Sequence, residues 1–345
     1  MGLFGRSKVT AGLDIGSGFV KLVVVDHAKG DPEITKIATS PLVQDAIVEG
    51  EVMDPVLVAE TIRSVVSEAD LSKKEVVAAV GGHDVIIKKI QMDRMDEAEA
   101  RELIRWEAHQ HVPFDMESVQ LDFQILDPGG SDPQMSVLLV AAKRELIENR
   151  LTLLADAGLS PAMIDVDAFA LHNAFEQSYP DSMAGMVALV NIGHETTNVN
   201  ILEEGVPIVV RDIPFGSRRI REALQRERGF TADQAEAVIQ GHQKAEDLES
   251  FVVQRVDELA VGIERAIAFI TAQSGGEGID QVYLSGGGAR VPGVVHALGE
   301  RLGVATHMAN PLERLAVRPE VNLEVAVDEV APMLMLPVGL AMRRP

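Results

Sequence analysis

Not one cysteine occurs in the 345 residues, which excludes disulfides, thiolate metal centres and thiol nucleophiles together. No apolar run approaches the roughly 20 residues that cross a bilayer, and residues 1–8 are too short for the apolar region of a secretory signal. The opening "MGLFGRS" fails as a myristoylation signal because Arg6 stands where Ser or Thr is required. A basic excess is missing as well. The net charge of −22 repels nucleic acid and anionic membranes, so any phosphate must be held by local geometry. These absences describe a cytoplasmic protein that reaches a membrane only through a partner.

Several site motifs are also absent. There is no GxxxxGK[ST] loop, and "GGGARV" breaks the GxGxxG pattern because Val291 takes the last glycine position. "HETTN" misses the HExxH zinc pattern at Asn198, and His109 and His111 stand two apart on an expected helix, where they face different sides.

What is present is an ordinary globular composition, 46% apolar, in a chain long enough for two domains. The segment "GLDIGSGFVKLVVVD" (residues 12–26) reads as two strands joined by a turn with more chemistry than turning requires. The pattern returns half a chain later in "ALVNIGHETTNVNILEEG" (188–205), and so long a period indicates a duplicated domain. The two hairpins are expected to face each other across a cleft. Between and after them the pattern is mixed α/β. Helices are expected at 56–71, 96–112 and 248–275, and buried strands at 75–82 and before the triple glycine of "LSGGGAR". "DPGGSDPQ" and "SGGEG" read as loops. Residues 90–160 look like a small βαββα insertion.

In the first hairpin, Gly16 and Gly18 let backbone N–H groups curl around an anion, and Ser17 adds a hydroxyl donor. Lys21 is placed for the same phosphate, and Asp14 suits Mg²⁺ through water. A plain β-turn whose Asp and Ser satisfy their own backbone is the alternative. The second hairpin offers Gly193, Thr196 and Thr197 as donors from the other side. Its Asn191 occupies the place of Asp14, and an amide cannot be a general base. The third glycine turn, Gly286, Gly287 and Gly288 with Arg290, is expected to open a helix with its amides pointing outward.

Three such turns in this order resemble the actin, sugar kinase and Hsp70 superfamily. "DIGSGFVK" (14–21) is similar to its first phosphate loop, "NIGHETTN" (191–198) to the second and "LSGGGARVPG" (284–293) to the adenosine loop. "VDAFAL" (166–171) and "LPVGLAM" (336–342) are similar to its two interdomain connections. Within it, "LIRWEAHQHVPFDMESVQLDFQIL", "DAGLSPAMIDVDAFAL", "RDIPFGSRRIREAL" and "HMANPLERL" resemble the actin-like family of type IV pilus assembly proteins, relatives of the division protein FtsA.

The resemblance implies an actin-like α/β fold, duplicated ribonuclease H-like domains with an inserted FtsA-type 1C subdomain. Subdomain 1A would be residues 8–89 with returns at 161–185 and 336–345, and 1C would be 90–160. Subdomain 2A would be 186–214 and 280–335, and 2B would be 215–279. It implies ATP and Mg²⁺ as ligands, with Gly216 among the nucleotide-binding residues. It also implies a partner, the short cytoplasmic N-terminal peptide of a PilN-like inner-membrane protein, alongside other pilus assembly proteins.

Asn191, the single glycine of "PFG", and Gln240 at a position where many relatives carry lysine depart from the superfamily pattern and imply very slow hydrolysis at most. FtsA itself would need a C-terminal amphipathic membrane helix, and this sequence stops at "AMRRP". The alternative function is a small-molecule kinase or phosphatase of the same superfamily, which needs a carboxylate base that the loops do not nominate. Trp106, the single tryptophan, and Phe114 are either core of the insertion or the wall of an apolar groove for the partner peptide.

Overall fold

A computed structural model describes residues 9–28, 30–273, 278–321 and 327–344. The "MGLFGRS" start and all but Gly278 of the "SGGEG" loop lie outside the described residues.

The chain opens with the hairpin β1 (Val9–Ile15) and β2 (Phe19–Asp26), then β3 (Glu33–Pro41) and the short ribbon β4 (Ile47–Val48) and β5 (Glu51–Val52). The helix α1 (Pro55–Glu68) follows, started by Pro55 at its first position and by Asp54, whose carboxylate accepts the Leu57 N–H at 3.1 Å. Next come β6 (Glu75–Val80), β7 (Val85–Asp93) and α2 (Glu97–Ala108), capped by Asp96. The strands β8 (Val119–Ile125) and β9 (Gln134–Lys143), the helix α3 (Arg144–Asp156), β10 (Ser160–Val166) and α4 (Asp167–Ser178) complete the first half.

The second half begins with β11 (Met186–Ile192), β12 (Thr197–Glu203) and β13 (Val206–Ile213). The helices α5 (Ser217–Arg228), α6 (Ala232–Ile239) and α7 (Leu248–Gln273) precede β14 (Gln281–Ser285). After it run α8 (Val294–Leu302), β15 (Ala305–Met308), β16 (Ala316–Val317), α9 (Val327–Val330) and α10 (Met335–Ala341). Among the described residues no helix is long and apolar enough to cross a membrane.

The duplication suggested by the two hairpins extends to whole sheets. One sheet has the order β10-β6-β1-β2-β3-β16 and the other β13-β12-β11-β14-β15. In each, an antiparallel three-strand meander is extended by two parallel strands beside its first strand, and in the first sheet β16 adds parallel to β3. The helices α4 and α10 lie between the sheets, in a core that mixes Val23, Val25 and Val77 of the first with Leu189, Leu202 and Tyr283 of the second.

Their approach needs glycine. A Cβ on Gly339 would stand 1.7 Å from the Ala170 carbonyl oxygen, and one on Gly12 would stand 2.1 Å from the Pro337 carbonyl oxygen. The two segments expected to connect the halves are therefore packed helices, locked by backbone proximity.

The strands β7, β9 and β8 form a separate sheet with α2 and a core of their own. This unit runs from Val85 to Lys143, which corrects the expected insertion at 90–160. The helix α3 leaves it at once, since Leu153 and Leu154 are buried in the core beneath α1 and the first sheet, and β10 pairs with β6. A helical repeat alone could not say which of two neighbouring cores α3 would join.

Candidate nucleotide-binding cleft

A cleft of about 770 Å³ opens between the two halves, lined by both hairpin turns, the end of β6, the start of α4 and the turn after β14. The two turns touch. A Cβ on Gly18 would come 2.9 Å from Cβ of His194, so the first hairpin requires glycine there for contact with the second. Each turn is closed by its own backbone, Gly16 N–H to the Phe19 carbonyl at 3.1 Å and Gly193 N–H to the Thr196 carbonyl at 3.0 Å.

Register explains the side chains below the turns. Asp14 lies opposite Lys21 across β1 and β2, and their charged groups pair at 2.5 Å. Asn191 lies opposite Asn198 at the equivalent place in β11 and β12. Asn191 Nδ2 donates to Asn198 Oδ1 at 3.4 Å, Asn198 donates to Asp212 of β13, and Ser285 donates to Asn191 Oδ1 at 3.2 Å. Lys21 is thus paired with Asp14 at the base of the turn where it was expected to meet a phosphate.

The expected residues divide into those that face the cleft and those that build it. Asp14, Gly16, Ser17, Gly18, Lys21, Asn191, Gly193, Thr196, Gly286, Gly287 and Arg290 line it. Thr197 does not. It is fully buried, with its hydroxyl donating to the Phe215 carbonyl at 2.7 Å. Gly216 and Gly288 are also away from the lining: a Cβ on the first would strike the His194 carbonyl at 2.3 Å and one on the second Ile192 Cγ2 at 2.3 Å. Their absence of a side chain serves packing.

Gly286 holds a left-handed φ of +86°, while Gly287 faces open space. The glycine run opens a single 3₁₀ turn, Gly287–Arg290, and α8 starts only after Pro292 and Gly293. That corrects the expected helix N-terminus at the glycines.

Three charged residues of the cleft lining lie outside the glycine-turn motifs. Asp167 begins α4 under Gly81, where any Cβ would meet its carboxylate at 2.2 Å. Burial first, and Asp14 second, push the Asp167 carboxyl up to about 7, against the opposing pull of Arg150. Asp212 is likewise raised by burial, opposed by the Asn198 amide. Arg150 reaches the cleft from α3. The glycine pair after β6 and an arginine on the apolar stripe of α3 were the available signals. Asp167 and Asp212 thus bring carboxylates to the cleft from outside the glycine turns.

At the mouth, Arg218 of α5 bonds Asp45 and Glu195 at 2.7 Å each, and Glu195 also accepts the Glu49 N–H at 2.8 Å. The second turn is thereby tied to the β4–β5 ribbon of the first half. Burial lowers the His194 imidazole, aided by nearby Arg221, so it is neutral beside Ser217.

Trp106 of α2 is 78% exposed, whereas Phe114 is half-buried against the core of the insertion with Lys143 Nζ 4.9 Å above its ring. The strand β8 is an edge: among the described residues nothing pairs with its outer side.

Two like sheets, each led by a glycine hairpin and joined through α4 and α10 around a polar cleft, define an actin-like protein. A family model described as type IV pilus assembly protein PilM matches residues 12–345, and the chain belongs to that family. It is similar to a chain of a solved PilM-PilN type IV pilus biogenesis complex, with 29% identity and a TM-score of 0.85 over 98% of each chain. The ethanolamine utilization protein EutJ from Carboxydothermus hydrogenoformans has 17% identity and a TM-score of 0.54, over 98% of this chain and 90% of that one. MreB5 of Spiroplasma citri bound to AMPPNP has 11% identity and a TM-score of 0.50, over 97% and 95%. The last two share the fold.

Proposed function

We propose that the protein is an ATP-binding scaffold of the type IV pilus assembly machinery, which holds the cytoplasmic N-terminal peptide of a PilN-like inner-membrane protein. The observation that carries this reading is a chain-length match, at 29% identity, to a protein solved in complex with PilN. In this reading the first sheet with α1 and α3 is subdomain 1A and residues 85–143 are 1C. The second sheet is 2A, and the α5–α7 region is 2B.

The cleft fits a nucleotide. Its volume lies in the range of small-molecule sites, about 300–1,000 Å³, and Gly287 leaves open the space that any side chain would fill. The N–H groups of the two hairpin turns would hold phosphates from opposite sides, with the Gly286–Arg290 turn beside the adenosine. Mg²⁺ would supply charge neutralisation of the phosphates. Asp14, paired with Lys21, would orient its waters. Such an ion would arrive with the phosphates and take only one or two protein carboxylates.

Turnover is expected to be slow, well below the roughly 1 per second of modest enzymes. Asp167 can accept a proton only as a carboxylate, and it is largely protonated below about 7. The mouth ties between Arg218, Asp45, Glu195 and Glu49 favour closure of the halves over the ligand.

The partner reading rests on the insertion. The open edge of β8 offers main-chain groups to an extended peptide, with Trp106 on the helix that covers this sheet. Isothermal titration with Mg-ATP tests the nucleotide half of the proposal. Micromolar binding is expected, and no heat at millimolar ATP contradicts it.

A further inference from the structure

Among the described residues, one cation lining the cleft has no hydrogen-bond or ion-pair partner. Arg150 lies on the inner stripe of α3 with Leu146 beside it in the cleft wall and Leu153 and Leu154 in the core below. Its charged neighbours are Asp167 and Asp14, yet among the described residues it forms neither a hydrogen bond nor an ion pair. The other cleft cations are engaged: Lys21 by Asp14, Arg218 by three carboxylates, and Arg219 by Glu258, while Arg290 donates to the Met333 sulfur.

A guanidinium carries five donors in a planar fork, and the half-buried Arg150 has no protein acceptor on them among the described residues. Its natural complement is a phosphate oxygen pair. Arg150 also stands at one particular end of the cleft. Its charged neighbours Asp14, at the foot of the first hairpin turn, and Asp167, at the start of α4, line the same cleft and set it on the side of the first hairpin.

We propose that Arg150 binds the terminal phosphate of a bound nucleoside triphosphate and so distinguishes triphosphate from diphosphate. This rests on reading the cleft as a nucleotide site. The helix that bears Arg150 begins directly where β9 ends, with no linker. Its first residue, Arg144, donates its N–H to the Ser118 carbonyl at 2.8 Å and its guanidinium to Gln120 Oε1 at 2.9 Å. Lys143 pairs with Asp84 at 2.7 Å. Any shift of α3 toward a phosphate therefore pulls on the start of β8, the strand with the open edge.

The test is calorimetric titration of Mg-ATP and Mg-ADP into the wild type, Arg150→Gln and Arg150→Lys. Loss of a charge-assisted contact should weaken ATP binding about 10- to 100-fold in Arg150→Gln and change ADP binding less than about 3-fold, with Arg150→Lys between. Equal losses for both nucleotides, or none, overturn the assignment while the cleft reading stands. A wild type that binds neither nucleotide overturns both. Hydrogen exchange on the wild type gives a readout independent of the variants' folding: residues 117–125 should exchange more slowly with ATP than with ADP, and identical exchange contradicts the link from α3 to β8.

Discussion

Asp14 and Lys21 face one another in register across the opening hairpin and pair at 2.5 Å, and the equivalent places in the second hairpin hold Asn191 and Asn198. The duplication has kept the geometry and removed the charge from one copy. In the first copy the lysine neutralises a nearly buried carboxylate, so the pair acts as one unit that positions Asp14. In the second, three amide and hydroxyl hydrogen bonds tie β11, β12, β13 and β14 together around Asn191.

Removing the lysine alone should therefore affect folding as well as binding. Lys21→Ala leaves Asp14 without its counter-ion and should lower unfolding stability by about 1.5–3 kcal/mol, the scale of a hydrogen bond to a charged group. The double variant Lys21→Ala with Asp14→Asn should recover most of that loss and still bind ATP poorly. Urea unfolding with and without Mg-ATP reads both effects. An additive double variant contradicts the paired role.

Two glycines should behave in opposite ways. Gly287→Asp enters open space at a φ that any residue adopts, so the protein should fold with its melting temperature nearly unchanged and lose ATP affinity more than about tenfold. Gly339→Ala sets a methyl 1.7 Å from the Ala170 carbonyl and should destabilise by about 1–3 kcal/mol, the usual scale for overpacking. Thermal melts beside ATP titrations separate the two. Normal ATP binding by a folded Gly287→Asp protein would place the nucleotide elsewhere.

The Asp167 carboxyl predicts a pH dependence with a definite sign. Its folded value, about 7, exceeds the unfolded value near 3.9, so the native state holds a proton that the unfolded chain releases between those limits. Its contribution to stability is present in full below about pH 4 and falls as pH rises to 7. Asp167→Asn should flatten that slope and raise the urea midpoint at pH 8 relative to the wild type. An unchanged slope between pH 5 and 8 would show that burial does not govern this group.

Much of this was legible in the sequence because backbone requirements leave marks there. The glycine hairpins, the half-chain repeat and the connecting segments each need small residues at fixed places, as Gly12, Gly18 and Gly339 show. The roles of single glycines were not legible. Gly216 and Gly288 read as ligand contacts but are glycine because neighbouring backbone or side chains come too close. Asp167, Asp212 and Arg150 were missed because they lie on a helix start, a strand and a helix, where spacing describes the element and not the cleft beside it. The destination of α3 was hidden for the same reason, since two cores compete for one amphipathic face.

Trp106 provides a built-in reporter for the partner. It is 78% exposed on α2, so its emission should be that of a solvated indole, and an extended peptide laid along β8 and α2 should shift it to shorter wavelength. Trp106→Ala should fold normally and weaken peptide binding by about 1–2 kcal/mol or more, as for a buried aromatic anchor. Calorimetric binding with no change in emission would place the peptide away from α2.

Isothermal titration of the cytoplasmic N-terminal peptide of a PilN-like protein into the Mg-ATP-loaded protein addresses the central claim most directly. The account predicts saturable one-to-one binding near micromolar strength, about −8 kcal/mol, and weaker binding to Gly287→Asp at the same ATP concentration. No binding of the peptide at hundreds of micromolar to a protein that has bound ATP would contradict it.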